Sequence, residues 1–134
     1  MNIYLPGKSN KPIQEITSLM WTDDHEKNIE LVLKKITPQT TFFAKSYGAT
    51  MLLLALQKTR TKPKNIFLFG LSRKILKQNI NPEKYQNISI YQNENDPEGS
   101  YEEIKKLFKT KIKKLPGNTH EYDINAFIKN LKTK

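Results

Sequence analysis

The chain has no cysteine, which excludes disulfide stapling and thiolate chemistry. It also lacks a long apolar stretch: the longest run, Met51 to Leu56, is far too short to cross a bilayer. The N-terminus carries no charged region followed by an apolar one, so nothing in it reads as a secretion signal, and a cytoplasmic location is expected. Internal repeats, flexible linkers and low-complexity tracts are missing too. With 134 residues there is room for one domain, 1–134, with a modest core.

Acidic residues are scarce: 13 Asp and Glu stand against 23 Lys and Arg, giving a net charge of +10 and a pI near 9.7. Such a balance suits phosphate-bearing partners. The lysines are spread along the whole chain, however, with local density only at Lys58–Lys64 and Lys105–Lys114. In the second of these the cations alternate with Ile104, Leu107 and Phe108, the pattern of a solvated helix face. The aromatic residues fall within apolar runs, not among the charges, and no nucleic-acid-binding motif is present. Nucleic acid is therefore not the expected partner, despite the charge.

What the chain does contain is an alternation of short apolar runs with helical periodicity. It predicts strands near residues 2–5, 41–45, 65–69, 88–92 and 111–115. Helices are predicted near 24–35, 47–58, 101–109 and 123–132. The fold class is then α/β, a mostly parallel sheet flanked by helices on both faces. Between Gly7 and Trp21 the chain is short for a helical crossover, and a strand over Ile16–Trp21 or a short helix over Lys11–Met20 both remain open.

One serine stands between a strand-like and a helix-like run, in Phe42-Phe43-Ala44-Lys45-Ser46-Tyr47-Gly48-Ala49. The small residues Ala44, Gly48 and Ala49 let two backbones approach at a sharp strand-to-helix turn, which would push the serine side chain out of the sheet. The blander role for Ser46 is that of a helix N-cap. Further along, the strand ending at Gln92 runs into a loop carrying Asp96, and the strand ending at Leu115 runs into a loop carrying His120. The order nucleophile, acid, base is that of G-x-S-x-G hydrolases. Glu94 competes with Asp96 as the acid. Asp123 reads more simply as the cap of the last helix.

These segments resemble the α/β-hydrolase family. Ala44-Lys45-Ser46-Tyr47-Gly48 resembles the elbow of short bacterial members that carry A-K-S-x-G. Gln92-Asn93-Glu94-Asn95-Asp96-Pro97 is similar to the family's strand-end acid loop, and Gly117-Asn118-Thr119-His120 to its G-x-x-H base loop. The resemblance runs from Trp21 onward and implies a truncated, capless hydrolase fold whose first strands are missing. Asn2–Leu5 would be the strand before the oxyanion loop. It also implies a serine hydrolase acting on an ester or other small acyl compound. The implied roles are Ser46 as nucleophile, His120 as base, Asp96 as its partner, and the backbone N–H groups of Tyr47 and Lys8 as oxyanion donors. Trp21, Tyr47, Leu71 and Tyr122 would wall a shallow pocket. No cofactor is implied. A relative that keeps the fold as a binding module is the alternative.

Other chemistry is weaker. Asp23-Asp24-His25-Glu26 has metal-ligand residue types, but neighbours in sequence do not converge on one ion, and acidic residues at a helix start answer to the dipole; no metal is expected. Gly70-Leu71-Ser72 lacks the spacing of a phosphate loop.

Overall fold

A computed structural model describes residues 1–80, 84–85 and 87–132. Residues 81–83, 86 and 133–134 of the expected domain lie outside the described residues. Among the described residues six strands form one all-parallel sheet: β1 Asn2–Leu5, β2 Thr17–Ser18, β3 Thr41–Lys45, β4 Asn65–Phe69, β5 Ile88–Asn93 and β6 Ile112–Leu115. Their order across the sheet is β2-β1-β3-β4-β5-β6. The helices are α1 His25–Leu33, α2 Tyr47–Leu56, α3 Tyr101–Lys105 and α4 Ile124–Lys132, with a 3-10 helix at Arg73–Lys77.

Alternation along each strand decides which helix covers it. Ile3 and Leu5, Phe42 and Ala44, Ile66 and Leu68, Ile88 and Ile90 point to one face. There they form the larger core with Ile29 and Val32 of α1, Leu52 and Leu53 of α2, and Ile104 of α3. The intervening residues, Tyr4, Phe43, Phe67, Phe69 and Tyr91, point to the other face under Ile124, Phe127 and Ile128 of α4. Register pairs Phe43 with Phe67 and Phe69 with Tyr91, and both pairs stack, at 5.1 and 5.3 Å between ring centroids. Phe127 sits edge-on to this aromatic tiling, 4.9 Å from Tyr91, 5.1 Å from Phe69 and 5.3 Å from Phe67. Full burial of such a side chain is worth about 1.5–3 kcal/mol; Phe127, partly buried, contributes part of that to holding α4 on its face.

The segment before Trp21 takes the strand alternative in reduced form. Only Thr17 and Ser18 pair with β1, in parallel, and no helix forms over 11–20. Side chains hold the rest of it. Asn10, at φ 57°, clasps the Trp21 backbone from both sides: its Nδ2 donates to Trp21 O (3.0 Å) and its Oδ1 accepts from Trp21 N–H (2.7 Å). The predicted helix over 101–109 is also shorter, ending at Lys105. Phe108 nevertheless stays fully buried. Among the described residues no helix is long and apolar enough to cross a membrane.

Candidate active site

Because the strands are parallel, the loops after β1, β3, β4, β5 and β6 all emerge at the same edge of the sheet. Ser46 lies there between β3 and α2, at φ 49° and ψ −110°. That conformation suits glycine and costs a residue with a Cβ about 1–3 kcal/mol. Ser46 N–H donates to Phe69 O (3.0 Å), and its carbonyl accepts from Thr50 N–H (3.1 Å), so the backbone is held on both sides. Ser46 occupies the N-cap position of α2, yet its hydroxyl makes no capping bond. The helix-capping role does not account for it.

Close packing at this turn explains the small residues. A Cβ on Gly48 would lie 2.2 Å from Leu5 O and 2.6 Å from Pro6 O, so the exit of β1 runs directly across the first turn of α2. The loop that follows, carrying Lys8, is fixed by Trp21, whose indole N–H donates to Pro6 O at 2.7 Å. Lys8 Nζ stands 6.0 Å from the centroid of the Tyr47 ring. Neither Tyr47 N–H nor Lys8 N–H has a hydrogen-bond partner among the described residues. The Tyr47 hydroxyl accepts from Asn28 Nδ2 (2.8 Å) and lies 2.6 Å from His25 Nδ1. Asp24 caps α1, accepting from the N–H groups of Glu26 and Lys27.

His120 and Asp96 meet at the ends of β6 and β5. His120 Nδ1 is 2.8 Å from Asp96 Oδ2 and 3.0 Å from Oδ1, and the Asp96 side chain is completely buried. Every other contact of that carboxylate is a donor: Tyr122 O–H gives 2.6 Å to Oδ2, and Glu98 N–H gives 2.8 Å to Oδ1. The Tyr122 phenol is pushed well above its ordinary value by burial first and the Asp96 carboxylate second. It therefore stays a donor. Glu94 is exposed, and Asp123 accepts from Ala126 N–H as the cap of α4.

The other nitrogen of His120 meets a second carboxylate. Nε2 lies 3.3 Å from Glu98 Oε2, and no hydrogen bond joins Ser46 Oγ to His120 among the described residues. Only a ring protonated on both nitrogens donates to two carboxylates at once. A neutral ring has no proton for Glu98 once Nδ1–H is given to Asp96.

Three organising residues have no role assigned by the motifs. Gln92, fully buried, accepts from Leu71 N–H and donates to Leu71 O and Gly99 O, tying the exit of β4 to the acid loop. Asn93 donates to Thr119 O and Glu121 O on either side of His120. Glu98 is the third.

Of the four expected pocket walls, Trp21 and Tyr47 come together and Leu71 and Tyr122 lie elsewhere. Trp21 lines a cavity of about 200 Å³ with Lys8, Asn10 and Tyr47. Leu71 has no exposed surface and is a core residue, so its role as a wall is corrected: the chain turns inward after Gly70 and its side chain packs into the larger core. Tyr122 faces a separate groove beside Phe69 and Phe127. Its ring lies against Gly70, at φ +61°, where an added Cβ would come within 2.4 Å of it.

No protein-family model matches the chain, and no curated protein matches its sequence. A solved structure shares the fold: a protein from Pectobacterium atrosepticum, described provisionally as a YdeN-like hydrolase, superposes with a TM-score of 0.66 at 11% identity. The match covers 89% of this chain and 78% of that one. At such identity the likeness establishes shared architecture.

Proposed function

We propose that this protein is a serine hydrolase that cleaves an ester or other small acyl compound. The observation that carries the reading is the buried Asp96–His120 pair, at 2.8 Å, on the same sheet edge as a serine held at positive φ with a hydroxyl free of any capping bond. The shared fold with a protein described as a hydrolase supports it.

In this mechanism Ser46 Oγ attacks the acyl carbon as His120 Nε2 takes its proton. Asp96 accepts from Nδ1–H, which leaves the lone pair on Nε2 and stabilises the imidazolium that forms. The tetrahedral oxyanion is met by the N–H groups of Tyr47 and Lys8. The bond to the leaving group then breaks, and His120 returns the proton to it. Water repeats the sequence on the acyl-enzyme, with His120 again as base, releasing the acid and restoring Ser46. For this His120 Nε2 must exchange Glu98 for Ser46, a change consistent with catalytic contacts that tighten only with substrate bound.

A second reading, a binding module on the same fold, is favoured by the Glu98 contact, which occupies the nitrogen the base would use. A fluorophosphonate probe separates the two, because it labels an activated serine and not merely an exposed one. Labelling of the wild type that is lost in Ser46→Ala, with hydrolysis of short p-nitrophenyl esters lost in parallel, supports the hydrolase. No labelling and no turnover across a broad ester panel supports the module.

A further inference from the structure

Helix α2 starts without a side-chain cap: Ser46 makes no capping bond, and the first N–H groups of a helix have no partner within it. Tyr47, the first residue of α2, is held instead through its own side chain. Asn28 Nδ2 donates to the Tyr47 hydroxyl at 2.8 Å, and His25 Nδ1 lies 2.6 Å from the same oxygen. The half-buried Tyr47 ring meets Trp21 edge-to-face, at 5.5 Å between centroids. Trp21 in turn donates to Pro6 O, in the loop that leads to Lys8. One aromatic contact thus joins the two loops that carry the candidate oxyanion donors.

The direction of these bonds is fixed from the backbone. Thr22 N–H can only donate and gives to Asn28 Oδ1 at 2.9 Å, which turns Nδ2 toward Thr22 O (3.0 Å) and Tyr47. The phenol oxygen therefore accepts, and its own proton is left for His25 Nδ1. Asn28 has no exposed surface. Its other hydrogen bonds all return to Thr22, so Tyr47 is what this side chain reaches beyond its own turn. The rest of what α1 and α2 bring to that core is apolar, Ile29 and Val32 with Leu52 and Leu53, where an amide is costly to bury unless paired.

We infer that Asn28 is a positioning residue for the oxyanion site: through the Tyr47 hydroxyl it holds the start of α2, and with it the Tyr47 N–H that meets the developing charge. Resting on the hydrolase reading, this role makes one of the two oxyanion donors depend on a residue of α1. Asn28, fully buried, acts only through Tyr47. Breaking the bond between them weakens the response to charge on the acyl oxygen and leaves ground-state binding as it is, because an oxyanion donor acts in the transition state.

The test compares the full chain as wild type, Tyr47→Phe, Asn28→Ala and the double variant. Two readouts are taken: hydrolysis of short p-nitrophenyl esters, and inhibition by an aryl trifluoromethyl ketone. Ser46 Oγ adds to the ketone carbonyl as its proton passes to His120, and the carbonyl oxygen becomes a tetrahedral oxyanion. Tyr47→Phe keeps the ring and the backbone N–H and removes only the hydroxyl. Its kcat should fall about tenfold, part of the roughly 10²–10³ that loss of a whole oxyanion donor costs. KM should stay within about twofold, and ketone affinity should fall in step with kcat. Asn28→Ala should behave alike, and the double variant should be no slower than the slower single one, since both substitutions break the same bond. Should Asn28→Ala fail to fold, Tyr47→Phe decides alone, because it breaks that bond from the other side. A rise in KM with kcat unchanged, a fall in kcat without matching loss of ketone affinity, or a double variant slowed by the product of the single losses overturns this role for Asn28 and leaves the hydrolase reading standing. A wild type that neither turns over esters nor binds the ketone overturns both.

Discussion

Ser46 is held by its backbone, and His120 is held by other side chains. The serine takes its place from a strained turn, an amide bond to Phe69 O and the passage of β1 across Gly48; its own hydroxyl is bonded to nothing among the described residues. The histidine sits on a loop and takes its place from Asp96, which Tyr122 orients, and from Asn93, which grips the backbone on either side of it. Damage therefore spreads differently through the two halves. Around Ser46 the sensitive positions are those where a Cβ meets backbone. Around His120 they are residues that act through hydrogen bonds to Asp96 and to the loop backbone.

The largest expected effect tests the serine half. Ser46→Ala keeps the turn and removes the nucleophile, so ester turnover and probe labelling should fall by about four orders of magnitude or more. Chemical denaturation should leave its stability close to wild type, because the lost hydroxyl is unpaired. A large loss of stability in this variant would mean the hydroxyl has a structural partner after all.

On the histidine half, Tyr122→Phe should lower the labelling rate about tenfold while leaving Ser46 and His120 in place, as expected of a positioning residue. It should also cost about 1–3 kcal/mol, since Asn93 N–H loses its acceptor and Asp96 a donor. The pH dependence provides a separate check. The Tyr122 phenol is raised above its ordinary value of 10, so the folded protein keeps a proton that the unfolded chain releases. Its contribution is complete below pH 10 and is lost as the pH climbs beyond that, by about 1.4 kcal/mol per unit. Tyr4, pushed up to about 12 by burial, adds to the same alkaline loss. Denaturation midpoints of wild type and Tyr122→Phe should therefore converge between pH 9 and about pH 11.5. Parallel curves would show that Tyr122 is not held as a buried donor.

Much of this architecture was legible because strand residues alternate between two covered faces. Ile3-Tyr4-Leu5 and Ile66-Phe67-Leu68-Phe69 each feed both cores, and such runs have few alternatives to a sheet with helices on both sides. The turn at Ser46 could be inferred from its small neighbours, whose size answers a backbone contact. The approach of His120 to Asp96 followed from placing both on loops after parallel strands. What escaped depends on tertiary hydrogen bonding. β2 is two residues long because pairing with β1 sets its length, not apolar content. Gln92 and Asn93 read as ordinary polar residues at a strand end, yet both are buried and bridge loops distant in sequence. Glu98 reaches His120 only because its own N–H folds back onto Asp96 Oδ1, a turn without a distinctive residue pattern.

The strain at Ser46 provides a smaller effect of opposite sign. Ser46→Gly relieves about 1–3 kcal/mol of backbone strain and gives back about 0.5–1 kcal/mol in chain entropy. A net gain of about 1 kcal/mol in stability is expected alongside complete loss of labelling. Equal stabilities for the glycine and alanine variants would remove the argument that the turn is held under strain for a chemical purpose.

The smallest effect concerns the residue that joins the two halves or keeps them apart. Glu98 holds Nε2 only when His120 carries two protons, so the contact opposes the neutral ring that proton transfer from Ser46 requires. Its carboxylate is about half exposed, which limits what the ion pair is worth to about 1 kcal/mol or less. Glu98→Gln should then raise the labelling rate at neutral pH by up to about fivefold, without altering the Asp96–His120 pair. High salt should raise the wild-type rate in the same direction and leave the variant unmoved, because screening weakens what the substitution removes. A fall in rate on substitution would identify Glu98 instead as a group that helps to position the base, and His120 would then be ordered by two carboxylates, one buried and one at the surface.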